Sequence, residues 1–140
     1  MSAPDPQRIR IVERYIGETL PEEYIEYLQN GPAVEEGGFE IHFEGGQCGI
    51  RNMFRLDERD DSSQLDQVCR LVADVLPFGA LPIAEDWGGN FFCLMLAGAA
   101  AGQVVFWEHE RDDSDHSVVP VSESFQQFLR SIVPEDNAVV

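Results

Sequence analysis

The sequence predicts an α+β fold in which about four helices flank a largely antiparallel sheet. Apolar residues recur with a period of about 3.6 in several segments, which is typical of helices that pack on a core. Other segments are short, apolar and β-rich, and Gly-containing links join neighbouring segments of this kind as in β-hairpins. Hairpins flanked by helices are typical of α+β domains with an antiparallel sheet.

Helical segments are predicted from apolar stripes and from end signals. They cover residues 6–17, a segment from about 20 to 30, residues 62–76 and a final segment that begins at Ser122. Pro21 suits the first turn of the second helix, and Gly31 followed by Pro32 ends it. Asp61 or Ser62 is a candidate N-cap of the third helix. The stripe of the third helix consists of Leu65, Val68, Cys69, Val72, Val75 and Leu76. The stripe of the last helix consists of Phe125, Phe128, Leu129 and Ile132.

Extended segments are predicted at residues 39–43, 48–54, 81–84, 91–96 and 103–107. The first alternates apolar and polar residues, so His42 is expected on its solvent-facing side. The fourth is almost wholly apolar and is predicted to be a central strand, which pairs with the fifth in a hairpin. Residues 85–90 are predicted to form a turn, and residues 108–117 a polar, acidic loop.

Composition bounds the size of the protein and the class of its partners. The 140 residues, 44% of them apolar, predict a single globular domain over residues 1–140, with a core from about 6 to 133 and short loose ends. The 26 acidic residues outnumber nine basic ones, all Arg, for a net charge of −17. This balance disfavours binding to nucleic acid and to anionic membranes. A basic protein or a metal ion is the natural electrostatic partner, although solubility alone also explains the charge.

The cysteines and the absent motifs argue against cofactors and secretion. The chain has three cysteines, Cys48, Cys69 and Cys93. Their odd number and the lack of CxxC spacing argue against both a disulfide framework and a zinc site. Cys69 and Cys93 lie in apolar runs and are predicted to be core residues. There is no P-loop, GxGxxG or GxSxG motif, no membrane-length apolar run and no signal-peptide pattern. We therefore expect a cytoplasmic protein that is not an enzyme and has no cofactor.

The turn at residues 85–90 is the first candidate site. The predicted partner-binding residues are Glu85, Asp86 and Trp87, and the predicted turn-forming residues are Gly88, Gly89 and Asn90. Two carboxylates beside an exposed-looking tryptophan can hold an Arg or Lys of a partner through ion pairs and a cation–π contact. The two glycines permit a positive φ and the asparagine tolerates a left-handed backbone, so the turn is expected to be tight.

The second candidate site is the polar stretch after the last predicted strand. Its carboxylates form an acidic patch that suits a cationic surface of a protein partner, and this charge complementarity would speed association and exclude wrong partners. A merely solvated loop is the alternative interpretation. His109 and His116 are separated by six residues, not the spacing that places two ligands on one helix face, so no metal site is predicted. The predicted partner-binding residues are Trp107, Glu108, His109, Glu110, Asp112, Asp113 and Asp115.

Motifs in one consistent order resemble a known family. They are LPEEY at residues 20–24, LPIAED followed by GNFFCL within 81–94, VVFWEHE at 104–110 and SFQQFL at 124–129. This pattern is similar to the SUKH superfamily of Smi/Knr-type domains, over most of the chain. The resemblance implies an α+β fold with an antiparallel sheet and a role in binding rather than catalysis. Bacterial members are immunity proteins that neutralise toxin domains, often nucleases, and fungal members regulate cell-wall synthesis.

The resemblance and the charge together predict an acidic immunity protein that neutralises a basic toxin domain of the nuclease kind by direct binding. A regulatory scaffold or adaptor with several protein partners, as in the fungal members, is the alternative. A metal-dependent or thiol enzyme is a third interpretation. It requires a bound metal, or Cys48 or Cys93 close to a histidine.

Overall fold

The computed structural model describes residues 5–31, 38–43, 46–58, 63–109 and 118–134. In chain order their elements are α1 (Pro6–Ile16), α2 (Glu22–Asn30), β1 (Phe39–Phe43), β2 (Gly46–Met53), α3 (Leu65–Val72), β3 (Ala80–Asp86), β4 (Phe91–Met95), β5 (Val104–Trp107), β6 (Val118–Ser122), α4 (Phe125–Arg130) and β7 (Ile132–Pro134). The strands form one sheet in the order β6-β5-β4-β3-β2-β1-β7, and every neighbouring pair is antiparallel. The α+β prediction is therefore confirmed.

The sheet is curled, so strands that are distant within it approach each other. The ring centroid of Phe43, at the end of β1, lies 6.3 Å from that of Phe92 on β4. It lies 5.8 Å from the ring centroid of Phe106 on β5. In a flat sheet, β1 and β4 would be about 14 Å apart, because neighbouring strands are about 4.8 Å from each other. The inner side of the curl is filled by the main hydrophobic core.

Two hydrophobic clusters lie on opposite faces of the interior strands. Along β4, Phe92 and Leu94 belong to the main cluster, whereas Cys93 between them belongs to a smaller second cluster. The main cluster also receives buried side chains from all the described helices. The middle of the sheet is β3, which is buried on both faces. The sequence predicts only a short extended segment there, while the predicted central strand, β4, is its neighbour.

The first two helices agree with the sequence prediction. Oδ1 of Asp5 caps α1 by accepting a hydrogen bond from the Gln7 backbone N–H at 2.9 Å, and Pro6 occupies the first turn. Gly17 ends α1 with a φ of 84°, in the left-handed region that favours glycine. Pro21 precedes α2 in an extended conformation. None of the described helices has the length and apolar character that crossing a membrane requires.

The third helix is shorter than the predicted segment 62–76. The Arg55 N–H donates to the carbonyl of Ser63 at 2.8 Å, and the Leu65 N–H donates to the carbonyl of Arg55 at 2.7 Å. These bonds keep the residues before Leu65 extended, so the helix cannot begin earlier. The predicted caps Asp61 and Ser62 lie outside the described residues.

The predicted stripe of the third helix is wrong at its C-terminal end. The helix stops at Val72, and the chain continues as turns up to Pro77. Pro77 has no backbone N–H with which to extend the helix. Leu76 remains buried, in the second cluster. Val75, which the stripe assigns to the core, is 58% exposed.

The edge strands β6 and β7 are absent from the sequence prediction. β6 contains Pro120, which cannot donate to a neighbouring strand and is compatible with an edge. Ile132 continues the predicted stripe of the last helix, but it belongs to β7 and pairs with Ile41 of β1. The helix itself starts after Ser124, whose Oγ accepts a hydrogen bond from a backbone N–H of the first turn, rather than at Ser122.

Tyr24 is buried at the junction of α2 and α4. Its ring stacks on Tyr27 with 5.7 Å between centroids and contacts the ring of Phe125 edge-on at 5.1 Å. Within the described part of the chain, its buried hydroxyl has no hydrogen-bond partner. Burial raises the pKa of Tyr24 well above its ordinary value. The ring therefore stabilises the core, whereas the hydroxyl carries a desolvation cost.

Tyr24→Phe is expected to leave the free energy of unfolding unchanged or to raise it by about 1 kcal/mol, because it removes a buried polar atom and keeps the ring. Tyr24→Ala also removes the ring and is expected to cost about 3–5 kcal/mol. Urea denaturation followed by circular dichroism measures both values. A loss of more than about 1 kcal/mol in Tyr24→Phe would show that the hydroxyl has a partner.

An ionic network joins α1 to α3. The Arg8 guanidinium donates to both carboxylate oxygens of Asp66, through Nε at 2.8 Å and through Nη2 at 2.9 Å. It also donates to the carbonyl oxygen of Asp57 and to Oε1 of Gln64. The bond from Arg8 holds the pKa of Asp66 below its usual range, and the same bond raises the pKa of Arg8. The network therefore fastens α1 to the start of α3.

Asp66→Asn is expected to lower the free energy of unfolding at pH 7 by about 1–3 kcal/mol, because hydrogen bonds between charged groups are strong. Since the pKa of Asp66 is lowered on folding, its stabilisation is complete above the ordinary Asp pKa of about 4. It is lost as the pH falls through the lowered pKa, so the variant approaches the wild type in acid. Denaturation from neutral to acid pH measures this, with Glu26→Gln, on the exposed side of α2, as the control. A stability difference that does not shrink in acid would contradict the prediction.

Candidate functional site

The antiparallel sheet places alternate connections at the same end. The connections β1–β2, β3–β4 and β5–β6 lie at one end, and the connections β2–β3 and β4–β5 lie at the other. The described residues of both acidic segments singled out in the sequence are at the first of these ends. This region, the acidic end, consists of Glu85, Asp86, Trp87, Gly88, Gly89, Asn90, Glu108 and His109. The other predicted residues, Glu110, Asp112, Asp113 and Asp115, lie outside the described residues.

Asp86 organises the turn from the last position of β3. Its Oδ1 accepts hydrogen bonds from the backbone N–H groups of Gly88 and Asn90, each at 2.9 Å. Its Oδ2 accepts a third bond from Nδ2 of Asn90 at 3.1 Å. The residue is only 9% exposed. The carboxylate therefore shapes the turn, in addition to the partner contact that the sequence predicts for it.

Asn90 links the turn to the segment after β5. Its Oδ1 accepts a hydrogen bond from the His109 backbone N–H at 3.0 Å and lies 2.8 Å from His109 Nδ1. The NH₂ group of Asn90 faces Asp86, because a carboxylate only accepts. Oδ1 then faces the histidine, so Nδ1 carries a proton and donates it. This chain of bonds, the Asp86–Asn90–His109 clasp, joins the two predicted segments into one surface.

The two glycines of the turn have different roles. Gly89 has a φ of 85°, a conformation that side-chain-bearing residues rarely adopt. Gly88 has no positive φ. A Cβ on Gly88 would lie 3.3 Å from Nδ2 of Asn90, tight against the clasp. Backbone conformation thus favours glycine at 89, whereas close packing favours it at 88.

Trp87 is the exposed aromatic residue of the acidic end, with 59% of its surface accessible. Cζ of Arg51, on β2, lies 5.7 Å from the centre of its ring, within the range of a cation–π contact. Glu85 accepts a hydrogen bond from Nδ2 of Asn52 at 2.8 Å. The chain therefore supplies its own cation to the tryptophan and its own donor to the glutamate. Both contacts restrain side chains that the sequence predicts to bind a partner.

Arg51 and Asn52 reach the acidic end because β2 pairs with β3. Ile50 is opposite Asp86 and Asn52 is opposite Glu85, with a register shift between them. Sequence reasoning missed both residues, since the connection from β2 to β3 contains a helix and no local pattern reveals the pairing. The sequence signal that could have found them is the polar pair Arg51 and Asn52 itself, which lies within a predicted strand whose last residues are apolar.

Trp107 and Cys48 border the acidic end. The Trp107 ring stacks on Phe91, with 6.0 Å between centroids and 22° between planes, and packs against the second cluster. Burial, together with the nearby charges of Asp86 and Glu108, raises the pKa of the Cys48 thiol to about 11. The thiol on β2 is therefore close to carboxylates of both acidic segments.

The chain matches a known family over nearly its whole length. The family model described as SMI1 / KNR4 family (SUKH-1) matches residues 3–131. The chain belongs to this family. It is also 24% identical to the SPbeta prophage-derived uncharacterized protein YokK of Bacillus subtilis (strain 168), over 92% of this chain and 74% of YokK. No solved structure matches the chain. The resemblance that the sequence motifs indicate is thus confirmed.

The acidic end of this SUKH-1 domain offers acceptors and an aromatic ring rather than an activated nucleophile. In the described ranges, no group of three His, Cys, Asp or Glu side chains is arranged to hold a metal ion. Burial raises the pKa of Cys69 to about 12, and burial also raises the pKa of Cys93. Both thiols are buried, as predicted, and stay protonated at neutral pH. Carboxylates and an indole ring are the groups with which a surface recognises cations.

Asn90→Asp is expected to lower the free energy of unfolding by about 1–3 kcal/mol, because it removes the donor to Asp86 and places two carboxylates in contact. Asp86→Asn alone is also expected to destabilise, since the carboxylate is the common acceptor of the turn. The two changes together exchange donor and acceptor, restore the bond, and are expected to recover about half of the Asn90→Asp loss or more. Chemical denaturation of the four proteins measures the coupling.

Hydrogen exchange at the His109 backbone N–H, which donates to Asn90, reports on the clasp directly. We expect faster exchange in Asn90→Asp and slower exchange again in the double variant. If the double variant lost as much stability as the two single variants together, the result would contradict a direct bond between positions 86 and 90.

Proposed function

We propose that this SUKH-1 domain is an immunity protein that binds a cognate toxin domain directly and thereby neutralises it. SUKH domains are known as immunity-like domains. The relative YokK is prophage-derived and bacterial, which supports the bacterial role of the family over the fungal one. The observation that carries the proposal is the Asp86–Asn90–His109 clasp, because it unites two acidic segments in one preorganised surface.

The charge of the chain supports a basic toxin. A net charge of −17 steers a cationic protein toward this one and raises the rate of encounter. At the acidic end, Glu85 and Glu108 are both partly exposed. The Arg and Lys side chains of a nuclease bind the phosphates of its substrate, and carboxylates that occupy them exclude that substrate. Neutralisation by this route needs no catalysis by the immunity protein.

Trp87 is proposed as the anchor of the complex. Tryptophan is among the residues that most often dominate the binding energy of a protein interface. Since Arg51 already lies over the ring, little side-chain freedom is lost when a partner covers it. Trp107 and Glu108 extend the same surface beyond the clasp.

The cysteines support a cytoplasmic site of action. Cys48, Cys69 and Cys93 are free thiols. Free thiols persist in a reducing compartment, whereas small secreted domains often depend on disulfides. We therefore place the proposed complex in the cytoplasm.

Affinity capture from a lysate of the source cell is the direct test. The tagged protein serves as bait at about 0.1 and 0.3 M salt, and mass spectrometry identifies what elutes. We expect one dominant basic partner that survives the higher salt, and co-expression of this protein is expected to restore growth to cells that produce that partner. Several weak partners that are lost together would favour a regulatory scaffold or adaptor. A captured toxin whose activity is unchanged by the bound protein would overturn the proposal.

The combination Glu85→Gln and Glu108→Gln is expected to slow association with the captured toxin about tenfold and to flatten its salt dependence. The matched control, Glu22→Gln and Glu26→Gln on α2, removes the same charge elsewhere and is expected to change the rate by about twofold or less. Surface plasmon resonance at several ionic strengths measures both. Equal effects of the two combinations would show that net charge, not the acidic end, governs association.

A further inference from the structure

Arg51 is an exposed cation beside Trp87, at an end of the sheet that is otherwise acidic. In the described ranges, its guanidinium forms no hydrogen bond and no ion pair. The carboxylates of the neighbouring strand have other partners, because Glu85 accepts from Asn52 and Asp86 accepts from the turn that follows it. The five N–H donors of the guanidinium are therefore left to solvent or to a partner.

A β-bulge in β2 directs Arg51 toward Trp87. The neighbours of Arg51 on β2 are opposite consecutive residues of β3, so Arg51 is an extra residue with no counterpart on that strand. An extra residue bends its strand and re-aims a side chain, and bulges are frequent beside functional sites. The guanidinium carbon lies 5.7 Å from the centre of the Trp87 ring. The register of the sheet thus holds the cation against the ring.

A partner that covers Trp87 also covers Arg51, because the two side chains are in contact. Water is then excluded from the guanidinium, and a buried cation without an acceptor is strongly unfavourable. A basic partner adds positive charges of its own, which repel Arg51. The partner therefore has to supply an acceptor at this place. A carboxylate is suited to it, because it takes up two donors of the guanidinium at once and neutralises the charge.

We propose that Arg51 determines specificity by binding an Asp or Glu side chain of the toxin. Since the partner is the toxin of the proposed function, this role of Arg51 rests on that function. The cognate toxin then has cationic side chains opposite Glu85 and Glu108 and a carboxylate opposite Arg51. A protein that is merely basic lacks the carboxylate, so its contact leaves a covered guanidinium unpaired and is weaker. Net charge speeds the encounter, whereas Arg51 rejects wrong partners.

Arg51→Gln tests the proposal with two probes, the captured toxin and an amidated oligo-arginine peptide, which contains no carboxylate. For the toxin, we expect a dissociation constant about tenfold larger or more, mainly through faster dissociation, because its carboxylate loses a charged partner. For the peptide, we expect binding about twofold tighter, because a repelling charge is removed. Surface plasmon resonance measures both constants.

The matched control is Arg70→Gln on α3, which removes an exposed cation that has no ion pair in the part of the chain that the structure describes. It is expected to change either constant by about twofold or less. Arg51→Lys keeps the charge without the planar pair of donors, so its toxin affinity is expected to lie between those of the wild type and Arg51→Gln. Melting temperatures within about 3 °C of the wild type are expected and show that the variants are folded.

The possible results separate this inference from the proposed function. If Arg51→Gln leaves the toxin complex unchanged while Glu85→Gln and Glu108→Gln still slow association, Arg51 has no such role and the proposed function stands. If Arg51→Gln weakens binding of the peptide as well, Arg51 acts by holding Trp87 in place, and the inference is wrong. A captured partner that is not neutralised overturns the proposed function and this inference together.

Charge exchange identifies the carboxylate of the toxin. Arg51→Glu is expected to weaken the toxin complex about a hundredfold, because two carboxylates then face each other. The acidic residues of the toxin are next replaced by Arg, one at a time. We expect one of these toxin variants to bind Arg51→Glu about tenfold more tightly, or more, than the unaltered toxin does. If no replacement recovers binding, Arg51 has no carboxylate partner and the proposal is overturned.

Discussion

The pairing of β3 with both of its neighbours is the constraint on which the rest of the structure depends. β3 is the middle strand, and its apolar residues contribute to the clusters on both faces of the sheet. Because antiparallel pairing reverses the chain at every strand, it also decides which connections share an end of the sheet. Asp86 is the last residue of β3, opposite Ile50 of β2, and its buried carboxylate holds the turn that follows. The register of the core thereby shapes the acidic end.

The same constraint divides the surface into two regions of different chemistry. One end of the sheet carries the clasped acidic segments with Trp87 between them. The other end receives the chain from α3 and exposes Leu71, Val75 and Phe78. The proposed contact with a basic toxin therefore lies at the end of the sheet opposite these apolar side chains.

Local patterns predicted the elements whose causes lie within a few residues. α1 begins at a capping aspartate and ends at a glycine with positive φ, and both signals are visible in the sequence. The alternation in β1 and the apolar run of β4 were likewise sufficient. Predictions were wrong where a distant partner decides the structure. Ile132 has the spacing of a helical stripe, but it pairs with Ile41 in an edge strand. Val75 is a different case, because it has the spacing of a core residue but α3 ends before reaching it, ahead of Pro77, which is a local signal.

The sequence by itself determined the fold class, the family, the negative charge and the two acidic segments at a Gly-rich turn. Only the tertiary structure decided that Asp86 turns inward to hold that turn, and that Arg51 and Asn52 meet Trp87 and Glu85. The physical reason is that hydrophobic periodicity specifies which face of an element is apolar but not which element covers it. The register of β2 on β3 spans a connection that contains α3, and packing over the whole core selects it.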